Sequence, residues 1–439
     1  MNNKDIFNVI NENKVLLNIL RCNPSIDKTT LAREMKISFP TLIKQLDVLK
    51  SKKILTESSK ISFNQSAFYA CGISIGGAQC KITFVNAAFQ VIEKSMFKEL
   101  CDKAGIFQQG FLKQESDDKE YGYRYFDTPK TEIDLKVQLN AIIGDIIKID
   151  DLSRKDETIP PIVSIGIALT GSIDAEKQII ISSHNVSYLK NLKKEMLISP
   201  DLITTLKERS IPIMIDHNAK ALAVCEKYSL YQSDNINQEY CRKRNVVSLY
   251  LGSGIGSGLI LDNRLARGCR NLNGEIGHIE VPRYPTLRDK ALIEEYCTCG
   301  AKGCLEHYII NDVFRMTREE FKAVSSKELK ERLNSLYEDE KRERLKILGY
   351  YMGWTIDLCV KFLNVGLIIF SGKITCLMDE LWQYITPSNG NLDYGRLDCA
   401  MITSKYGALA PTIGAGILST YPVNENIEWP LISEKSKLE

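Results

Sequence analysis

The sequence predicts an α/β protein with more than one domain, and three observations lead to this prediction. The chain has 439 residues, of which 44% are hydrophobic and 26% charged, and a chain of this length forms about two to three domains. The first 65 residues carry apolar side chains at helical spacing, whereas apolar runs typical of buried strands follow from Phe68 onwards. One histidine and three cysteines, close together between Gly274 and Glu306, indicate a zinc knuckle.

Residues 1–65 are predicted to form a small domain of three helices and a β-hairpin. Asn11 to Leu20 has the dense apolar pattern of a core-facing helix. Asp27 and Ser38 stand where the N-caps of a second and a third helix are expected. The segment 52–63 is predicted to form a short hairpin, or wing.

Three helices followed by a wing are typical of a winged helix-turn-helix, whose third helix enters the major groove of DNA. This segment holds 11 lysines and arginines against 6 acidic residues, and a positive excess favours DNA. Thr41, Lys44 and Gln45 face outward near the start of the third helix and are the predicted base or phosphate contacts. The alternative is a small helical cap used for dimerisation.

His278, Cys297, Cys299 and Cys304 have the residue types and spacing of a closed structural zinc site. Thiolates with an imidazole favour zinc over magnesium or calcium, and glycines among the cysteines allow sharp turns. Because four protein ligands leave no open position on the ion, zinc is expected to hold structure here rather than perform chemistry. The alternative is that these are ordinary buried cysteines.

The residues around this group resemble the signature of the ROK family, which contains sugar kinases and transcriptional repressors. The resemblance is carried by Gly274-Glu275-Ile276-Gly277-His278, then Cys297-Thr298-Cys299 and Gly303-Cys304-Leu305-Glu306. It implies that Glu275 and His278 contact a sugar, and that His278 and the three cysteines hold zinc. It also implies a two-lobed body with the actin-like, sugar-kinase (ribonuclease H-like) fold. The N-terminal segment resembles the winged helix-turn-helix of the repressor branch.

Three domains are expected from this resemblance. Residues 1–65 would be the winged helix-turn-helix. Residues 66–215 would be a small α/β lobe, closed by a C-terminal helix at about 407–425. Residues 216–406 would be a large α/β lobe that carries the zinc site and the sugar-contacting motif.

Two glycine-rich turns resemble the phosphate loops of this fold, although a plain β-hairpin would also explain them. The implied phosphate-loop residues are Gly76, Gly77, Gly252, Ser253, Gly254 and Gly256. The family's kinases have Asp-x-Gly-Gly-Thr-Lys at the first loop, where this chain has Ser74, Ala78 and Gln79. The carboxylate, the hydroxyl and the ammonium are all replaced, which argues against phosphoryl transfer because that chemistry depends on charge placement.

Two further polar residues are implied to contact the sugar. Asn185 lies where the family places a sugar-contacting Asn. Asp216 lies where its kinases keep the carboxylate that accepts the proton of the sugar hydroxyl, so Asp216 is catalytic only if this chain is a kinase. The alternative is that Asp216 is the N-cap of a helix over residues 219–228.

We therefore expect a sugar-responsive transcriptional regulator of carbohydrate metabolism, a repressor rather than an enzyme. Its expected partners are double-stranded operator DNA, a second copy of the chain (or a dimer of dimers), and a monosaccharide or derivative in the cleft between the lobes. The alternative is a sugar kinase that retains the head, and only that reading requires ATP and magnesium. A third reading is a zinc-stabilised scaffold that binds a partner protein and no sugar.

The cellular location is predicted from what the chain lacks. No apolar run is as long as a membrane span, and the polar start of the chain is not a signal peptide. Thirteen cysteines, scattered apart from the zinc group, fit a reducing compartment. We expect a cytoplasmic protein that does not engage a membrane.

Overall fold

The chain divides into two units, each built around a five-stranded mixed sheet. The first unit contains residues 1–242 and 411–439, and the second contains residues 243–410. Each unit has its own cluster of buried apolar residues. The computed structural model describes residues 3–23, 26–57, 61–108, 110, 112–113, 120–183, 185–232, 238–269, 271–288, 290–385, 399–422 and 427–430.

The strands and helices are numbered in chain order. The strands are β1 (Leu55–Glu57), β2 (Ile61–Phe63), β3 (Tyr69–Ile75), β4 (Gln79–Asn86), β5 (Tyr123–Asp127), β6 (Ile162–Leu169), β7 (Ser172–Asp174), β8 (Ile179–Ser182), β9 (Lys190–Lys193), β10 (Ile213–His217), β11 (Val246–Leu251), β12 (Ile255–Leu261), β13 (Arg264–Ala266), β14 (Leu367–Ser371) and β15 (Ala400–Thr403). The α-helices are α1 (Asn3–Glu12), α2 (Lys14–Cys22), α3 (Lys28–Glu34), α4 (Phe39–Ser51), α5 (Lys94–Ala104), α6 (Glu132–Ser153), α7 (Lys194–Leu197), α8 (Pro200–Glu208), α9 (Asn218–Ser229), α10 (Gln238–Arg242), α11 (Leu305–Tyr308), α12 (Arg318–Ala323), α13 (Ser326–Asn334), α14 (Glu338–Leu363), α15 (Met378–Leu381) and α16 (Ala410–Leu418).

Helices α1 to α4 and the hairpin β1–β2 form an N-terminal segment that we call the head, residues 3–63. The predicted caps are confirmed. The Asp27 side chain accepts a hydrogen bond from the Thr30 N–H, and the Ser38 side chain accepts one from the Thr41 N–H. The single helix expected over residues 11–20 is instead two helices, which break at Asn13 because its ψ of 19° is not helical.

The sheet of the first unit has the strand order β10-β6-β3-β4-β5. Strand β3 is antiparallel to β4 and parallel to β6, and β6 is parallel to β10. The carboxyl ends of β3, β6 and β10 therefore meet at one edge, with Ser74 paired to Ala168 and Ala168 paired to Asp216. Loops that follow this edge are where a doubly wound α/β sheet binds its ligands.

The predicted lobe boundary at residue 216 needs correction, because the division lies at residue 243. Strand β10 pairs with β6 along its whole length, from Ile213 to His217. Helix α9, which follows it, is buried from Ala219 to Ser229. Residues 216–242 therefore belong to the first unit, and residues 1–65 fall in the same unit as the body that follows them.

Helix α16 packs against α9 in the first unit with almost no space between the two backbones. A Cβ on Gly414 would lie 1.8 Å from the Ala221 carbonyl oxygen, so only glycine fits there. The closing helix predicted at about 407–425 is present but shorter. A 3₁₀ turn, Gly407–Leu409, precedes α16, which ends at Leu418.

The sheet of the second unit has the order β13-β12-β11-β14-β15, which repeats the pattern of the first sheet. Strand β11 is antiparallel to β12 and parallel to β14, and β14 is parallel to β15. Both sheets thus combine an antiparallel meander with two parallel crossovers, which confirms the predicted α/β class. Within the described ranges, no helix is long and apolar enough to cross a membrane.

Candidate functional site

The predicted metal ligands of the second unit lie together in space. One ligand atom from each of His278, Cys297, Cys299 and Cys304 lies within 4.8 Å of all the others. The Cys297 Sγ is 3.5 Å from the His278 Nδ1, and the Cys299 and Cys304 Sγ atoms are 3.6 Å apart. A tetrahedral zinc with bonds of about 2.0 to 2.3 Å places its ligand atoms about 3.5 to 3.8 Å apart. The cluster therefore has the dimensions of such a metal site.

The backbone around the cysteines makes the sharp turns that the cluster needs. Gly300 and Gly303 have φ values of +87° and +79°, in the left-handed region that favours glycine. The Val281 N–H then donates to the Gly303 carbonyl at 3.0 Å. This bond fixes the knuckle against the chain that continues from His278.

The surroundings of the Cys304 thiol show what a cation would have to change at this position. Burial raises the pKa of the Cys304 thiol, and the neighbouring thiols of Cys299 and Cys297 raise this pKa further. A divalent cation reverses this effect, because a coordinated thiol loses its proton.

The turn that carries Glu275 and His278 is pressed against strand β12. A Cβ on Gly274 would lie 2.0 Å from the Ser257 carbonyl oxygen, and one on Gly277 would lie 2.2 Å from that of Ile255. The Ser257 N–H and hydroxyl both donate to the Gly274 carbonyl, at 2.8 and 2.9 Å. Two glycines of the motif are therefore required by close backbone approach, and the backbone that carries the half-buried Glu275 and His278 is held against β12.

Glu306 and Arg318 brace the glycine-rich loop between β11 and β12. The Glu306 Oε2 accepts a hydrogen bond from the Ile255 N–H at 2.5 Å, and its other oxygen pairs with the Arg318 guanidinium. Both side chains are almost fully buried, with exposed fractions of 2% and 7%. A Cβ on Gly254 would lie 2.7 Å from the Glu306 Oε2. One buried carboxylate thus sets the shape of the second candidate phosphate loop.

Sequence reasoning gave neither residue of this pair a role. Glu306 stands two positions after Cys304 inside the motif, so its position was a usable signal. No pattern in the sequence pointed to Arg318. It follows the N-cap Thr317 of α12, and only the folded chain brings it to Glu306.

The same loop meets the end of strand β14. Since β11 and β14 are parallel, Gly252 and Gly372 follow strands that end at one edge. A Cβ on Gly372 would lie 2.9 Å from the Gly252 nitrogen, and Gly372 has φ of +97°. The backbone at this edge is bare, which is the condition for main-chain N–H groups to approach an anion.

In the first unit, the turn at Gly76 and Gly77 lies beside Asn185. A Cβ on Gly77 would lie 3.3 Å from the Asn185 Cβ, so the predicted sugar-contacting Asn and the first glycine turn are neighbours. The Thr128 hydroxyl donates to the Gly76 carbonyl at 2.7 Å and orders the turn from its other side.

Ser74, which replaces the kinases' carboxylate, is engaged in the protein interior. It is 6% exposed, and its hydroxyl is 2.7 Å from the Thr412 hydroxyl of α16. A hydroxyl pair of this kind supplies no charge to a metal ion or to a phosphate.

Asp216 lies at the end of β10 and is 5% exposed. The His217 N–H donates to its Oδ1 at 2.7 Å. The suggestion that Asp216 caps the next helix is wrong. His217 is the N-cap of α9, where its Nδ1 accepts from the Ala219 N–H at 3.1 Å. Burial, with a smaller contribution from Lys220, lowers the pKa of His217 to about 3, so the ring is neutral and able to accept this bond.

The three predicted DNA contacts lie on the first half of α4. Thr41 and Lys44 are exposed, and the Thr41 hydroxyl is 2.7 Å from the Ser38 hydroxyl. Gln45 is only half-buried, yet its Oε1 is covered and lacks a hydrogen-bond partner. Lys44 is therefore the freest of the three to reach a phosphate.

The candidate residues thus form three groups. In the first unit, Asn185 lies beside the Gly76–Gly77 turn, and Asp216 stands two strands away from Ser74, about 10 Å at ordinary strand spacing. In the second unit, His278 belongs to the metal cluster and Glu275 precedes it by three residues, while Glu306 contacts the glycine-rich loop at Gly254 and Ile255. The head carries the third group.

Comparison with known proteins places this geometry in a family. The ROK family profile matches residues 114–421. A xylose repressor of Staphylococcus xylosus is 27% identical over 297 residues, which cover 66% of this chain and 66% of that protein.

Two solved structures have a similar fold. One is a ROK family transcriptional regulator, a homologue of the E. coli MLC protein. It aligns with a TM-score of 0.59 at 17% identity, over 92% of this chain and 95% of its own. The other is a ROK family glucokinase from Streptomyces griseus in complex with glucose and AMPPNP, with a TM-score of 0.52 at 16% identity, over 80% of this chain and 99% of its own. Because the family profile matches well over half of the sequence, the chain belongs to the ROK family.

Proposed function

We propose that this chain is a sugar-responsive transcriptional repressor that binds operator DNA as a dimer. The observation that carries the proposal is the head, in which α3, a short turn, α4 and a β-hairpin follow one another and α4 exposes Thr41 and Lys44. This order of elements is that of a winged helix-turn-helix. The regulator aligns over 92% of this chain and the glucokinase over 80%, which also supports the regulator reading.

The sugar-contacting residues in this proposal are Asn185 and Asp216 in the first unit, and Glu275 and His278 in the second. Carboxylate, amide and imidazole groups bind sugar hydroxyls, and the turn that carries Glu275 and His278 is held by backbone contacts with β12. Because the relative from S. xylosus is a xylose repressor, D-xylose is the first sugar to test.

We propose that the ion in the second unit is zinc, held by His278, Cys297, Cys299 and Cys304. A bound zinc supplies a structural cross-link. Three thiolates and one imidazole nitrogen match its preferences, and the ligand separations match its size. The His278 Nδ1 is 3.5 Å from the Cys297 Sγ, so Nδ1 is the ring nitrogen proposed to bind the ion.

A sugar kinase is the second candidate function, and it alone would use ATP and magnesium. Asp216 at the end of β10 and the braced loop at Gly252 to Gly256 favour it. Ser74 argues against it, because the family's kinases have a carboxylate at this position, whereas the Ser74 hydroxyl is uncharged and forms a hydrogen bond with the Thr412 hydroxyl. ATP consumption in the presence of a sugar panel separates the two functions.

The decisive experiment is DNA binding with and without sugar. Duplexes selected by the protein from a random pool are titrated by fluorescence anisotropy. Selected sites are expected to be inverted repeats, because a two-fold dimer presents two α4 helices. D-Xylose, or the sugar of a panel that raises the melting temperature most, is expected to weaken binding by about five- to a hundred-fold. Failure to prefer any sequence over random duplex would refute the proposal.

The contribution of α4 is tested by Lys44→Ala. If Lys44 contacts only phosphate, the substitution weakens binding to all sequences alike, and the salt dependence of binding becomes shallower. The matched control is Lys103→Ala, which removes an exposed lysine of α5 outside the head and is expected to leave binding unchanged. Equal effects of the two substitutions would show that α4 is not the DNA-contacting helix.

A further inference from the structure

Helix α2 of the head is buried against the body of the first unit. Every residue from Leu16 to Cys22 is buried, and these include the polar Asn18 and Arg21. Burying a polar side chain costs free energy unless it forms hydrogen bonds, so the partners of these two residues define how the head is attached.

Asn18 joins the head to two tyrosines of the body. Its Oδ1 accepts hydrogen bonds from the hydroxyls of Tyr228 and Tyr421, the latter at 3.0 Å. Its Nδ2 donates to the Glu428 carbonyl at 2.7 Å. The two tyrosine hydroxyls are also 2.6 Å from each other. Since each hydroxyl has only one proton and donates it to Asn18, the two tyrosines are joined by their shared acceptor, and a shift of either tyrosine must move Asn18 or break a hydrogen bond.

Each tyrosine is connected through a helix to residues near the candidate ligand loops of the first unit. Tyr228 stands near the end of α9, a helix of 12 residues that starts directly after Asp216 and His217 and spans about 18 Å. Tyr421 follows α16, in which Thr412 bonds Ser74 beside the first glycine turn.

Helices α9 and α16 also pack directly against each other. A Cβ on Gly414 would lie 1.8 Å from the Ala221 carbonyl oxygen, so the two helix backbones are in direct contact. Interiors packed this closely transmit displacement as rigid bodies do.

Arg21 of α2 contacts both the body and the wing, the hairpin β1–β2. Its guanidinium donates to the Ala87 carbonyl at 3.2 and 3.0 Å and lies 3.6 Å from the centre of the Phe89 ring. It also lies 5.0 Å from the centre of the Phe63 ring, which belongs to β2 of the head. Through Arg21, α2 therefore contacts both the body and the hairpin that follows α4.

We propose that Asn18, Tyr228 and Tyr421 form the joint through which sugar binding at the Asp216 edge changes the position of the DNA-binding head. This inference rests on the proposed function and adds the route of its regulation. Sugar held by Asp216 biases the position of α9, and α16 moves with it. The tyrosine pair then transmits the shift to α2 through Asn18.

The test compares Asn18→Leu with wild type in the full chain. DNA affinity is measured with and without the sugar identified by the thermal-shift screen, on duplex selected by the wild-type protein. Wild type is expected to show a sugar effect of about five- to a hundred-fold, and the variant one of less than about two-fold. Sugar affinity without DNA, and DNA affinity without sugar, are each expected to stay within about three-fold of wild type, because Asn18 contacts neither ligand.

Two further variants control for damage to the fold. Tyr228→Phe combined with Tyr421→Phe removes the hydroxyls and keeps both rings, and it is expected to lose the sugar effect as Asn18→Leu does. Asn3→Leu is the matched control, since Asn3 is also a buried Asn of a head helix, and its Nδ2 donates to Asp150 of α6 at 2.7 Å. It is expected to keep the full sugar effect.

A second readout follows the joint itself. Hydrogen exchange of the α2 amides, Leu16 to Cys22, is expected to change when sugar binds to wild type and to stay unchanged in Asn18→Leu. If the variants fold and still show the wild-type sugar effect on DNA binding, the inference is overturned while the proposed function stands. If wild type binds no sugar, or prefers no DNA sequence, the proposed function fails first and the inference falls with it.

Discussion

Substitution of Glu306 by alanine tests whether one buried carboxylate holds the glycine-rich loop of the second unit. The change removes the carboxylate that pairs with the buried Arg318 guanidinium and that accepts the hydrogen bond from the Ile255 N–H. Removing one member of a buried ion pair costs about 3 to 5 kcal/mol of unfolding free energy, because the remaining charge stays desolvated. For a unit of this size each kcal/mol lowers the melting temperature by about 2 to 4 °C, so a fall of about 6 to 20 °C is expected.

Differential scanning calorimetry of the full chain measures this effect, with Glu319→Ala as the matched control. Glu319 is 82% exposed and pairs with Lys322, and its loss is expected to cost no more than about 0.5 kcal/mol. Glu306→Gln keeps an acceptor for Ile255 and loses the charge, so its melting temperature should lie between those of wild type and Glu306→Ala. The reasoning would be refuted if Glu306→Ala melted within 2 °C of Glu319→Ala, a difference of about 1 kcal/mol or less.

Three further outcomes are expected. Purified protein should hold about one zinc per chain by mass spectrometry of the metal, Cys299→Ser should lose it, and Cys269→Ser, an exposed cysteine outside the cluster, should keep it. Ser74→Asp should not create a sugar kinase, since Ala78 and Gln79 remain, and coupled-assay ATP turnover above background would contradict this. Burial holds the pKa of His217 at about 3, below its ordinary value near 6.5. Between these two pH values the unfolded chain binds a proton at His217 and the folded chain does not. The contribution of His217 to the free energy of unfolding is therefore fully present above about pH 6.5, and it falls towards pH 3 by up to about 1.4 kcal/mol per pH unit. His217→Asn keeps a capping side chain and removes the titration, so chemical denaturation between pH 4 and 7 should show a flatter pH dependence than wild type.

Local order in the head was readable from the sequence because caps and turns are made by neighbouring residues. Asp27 and Ser38 cap their helices as predicted, and the wing strands pair as expected. The break at Asn13 was missed because both sides of it are equally apolar, and periodicity does not register one non-helical residue.

The metal cluster was also readable from the sequence, since ligand type and spacing reflect the chemistry of the ion directly. Its four side chains do come together, and the glycines beside them have the left-handed φ values that the turns need. The sequence likewise showed that the first glycine turn lacks the kinase carboxylate.

Only the tertiary structure determined the contacts between residues that are far apart in the chain. The boundary between the units lies at residue 243 and not at residue 216, because β10 pairs with β6 of the first unit. The local sequence pattern of a strand does not specify which strand it pairs with. Arg318 reaches Glu306, Thr412 reaches Ser74, and Asn18 reaches Tyr228 and Tyr421 across 210 and 403 positions. Each of these contacts is made by polar side chains whose partners are set by packing of the surrounding core. Residue type and periodicity therefore determined the fold class and the candidate ligands, whereas side-chain burial in the folded chain determined which polar groups pair.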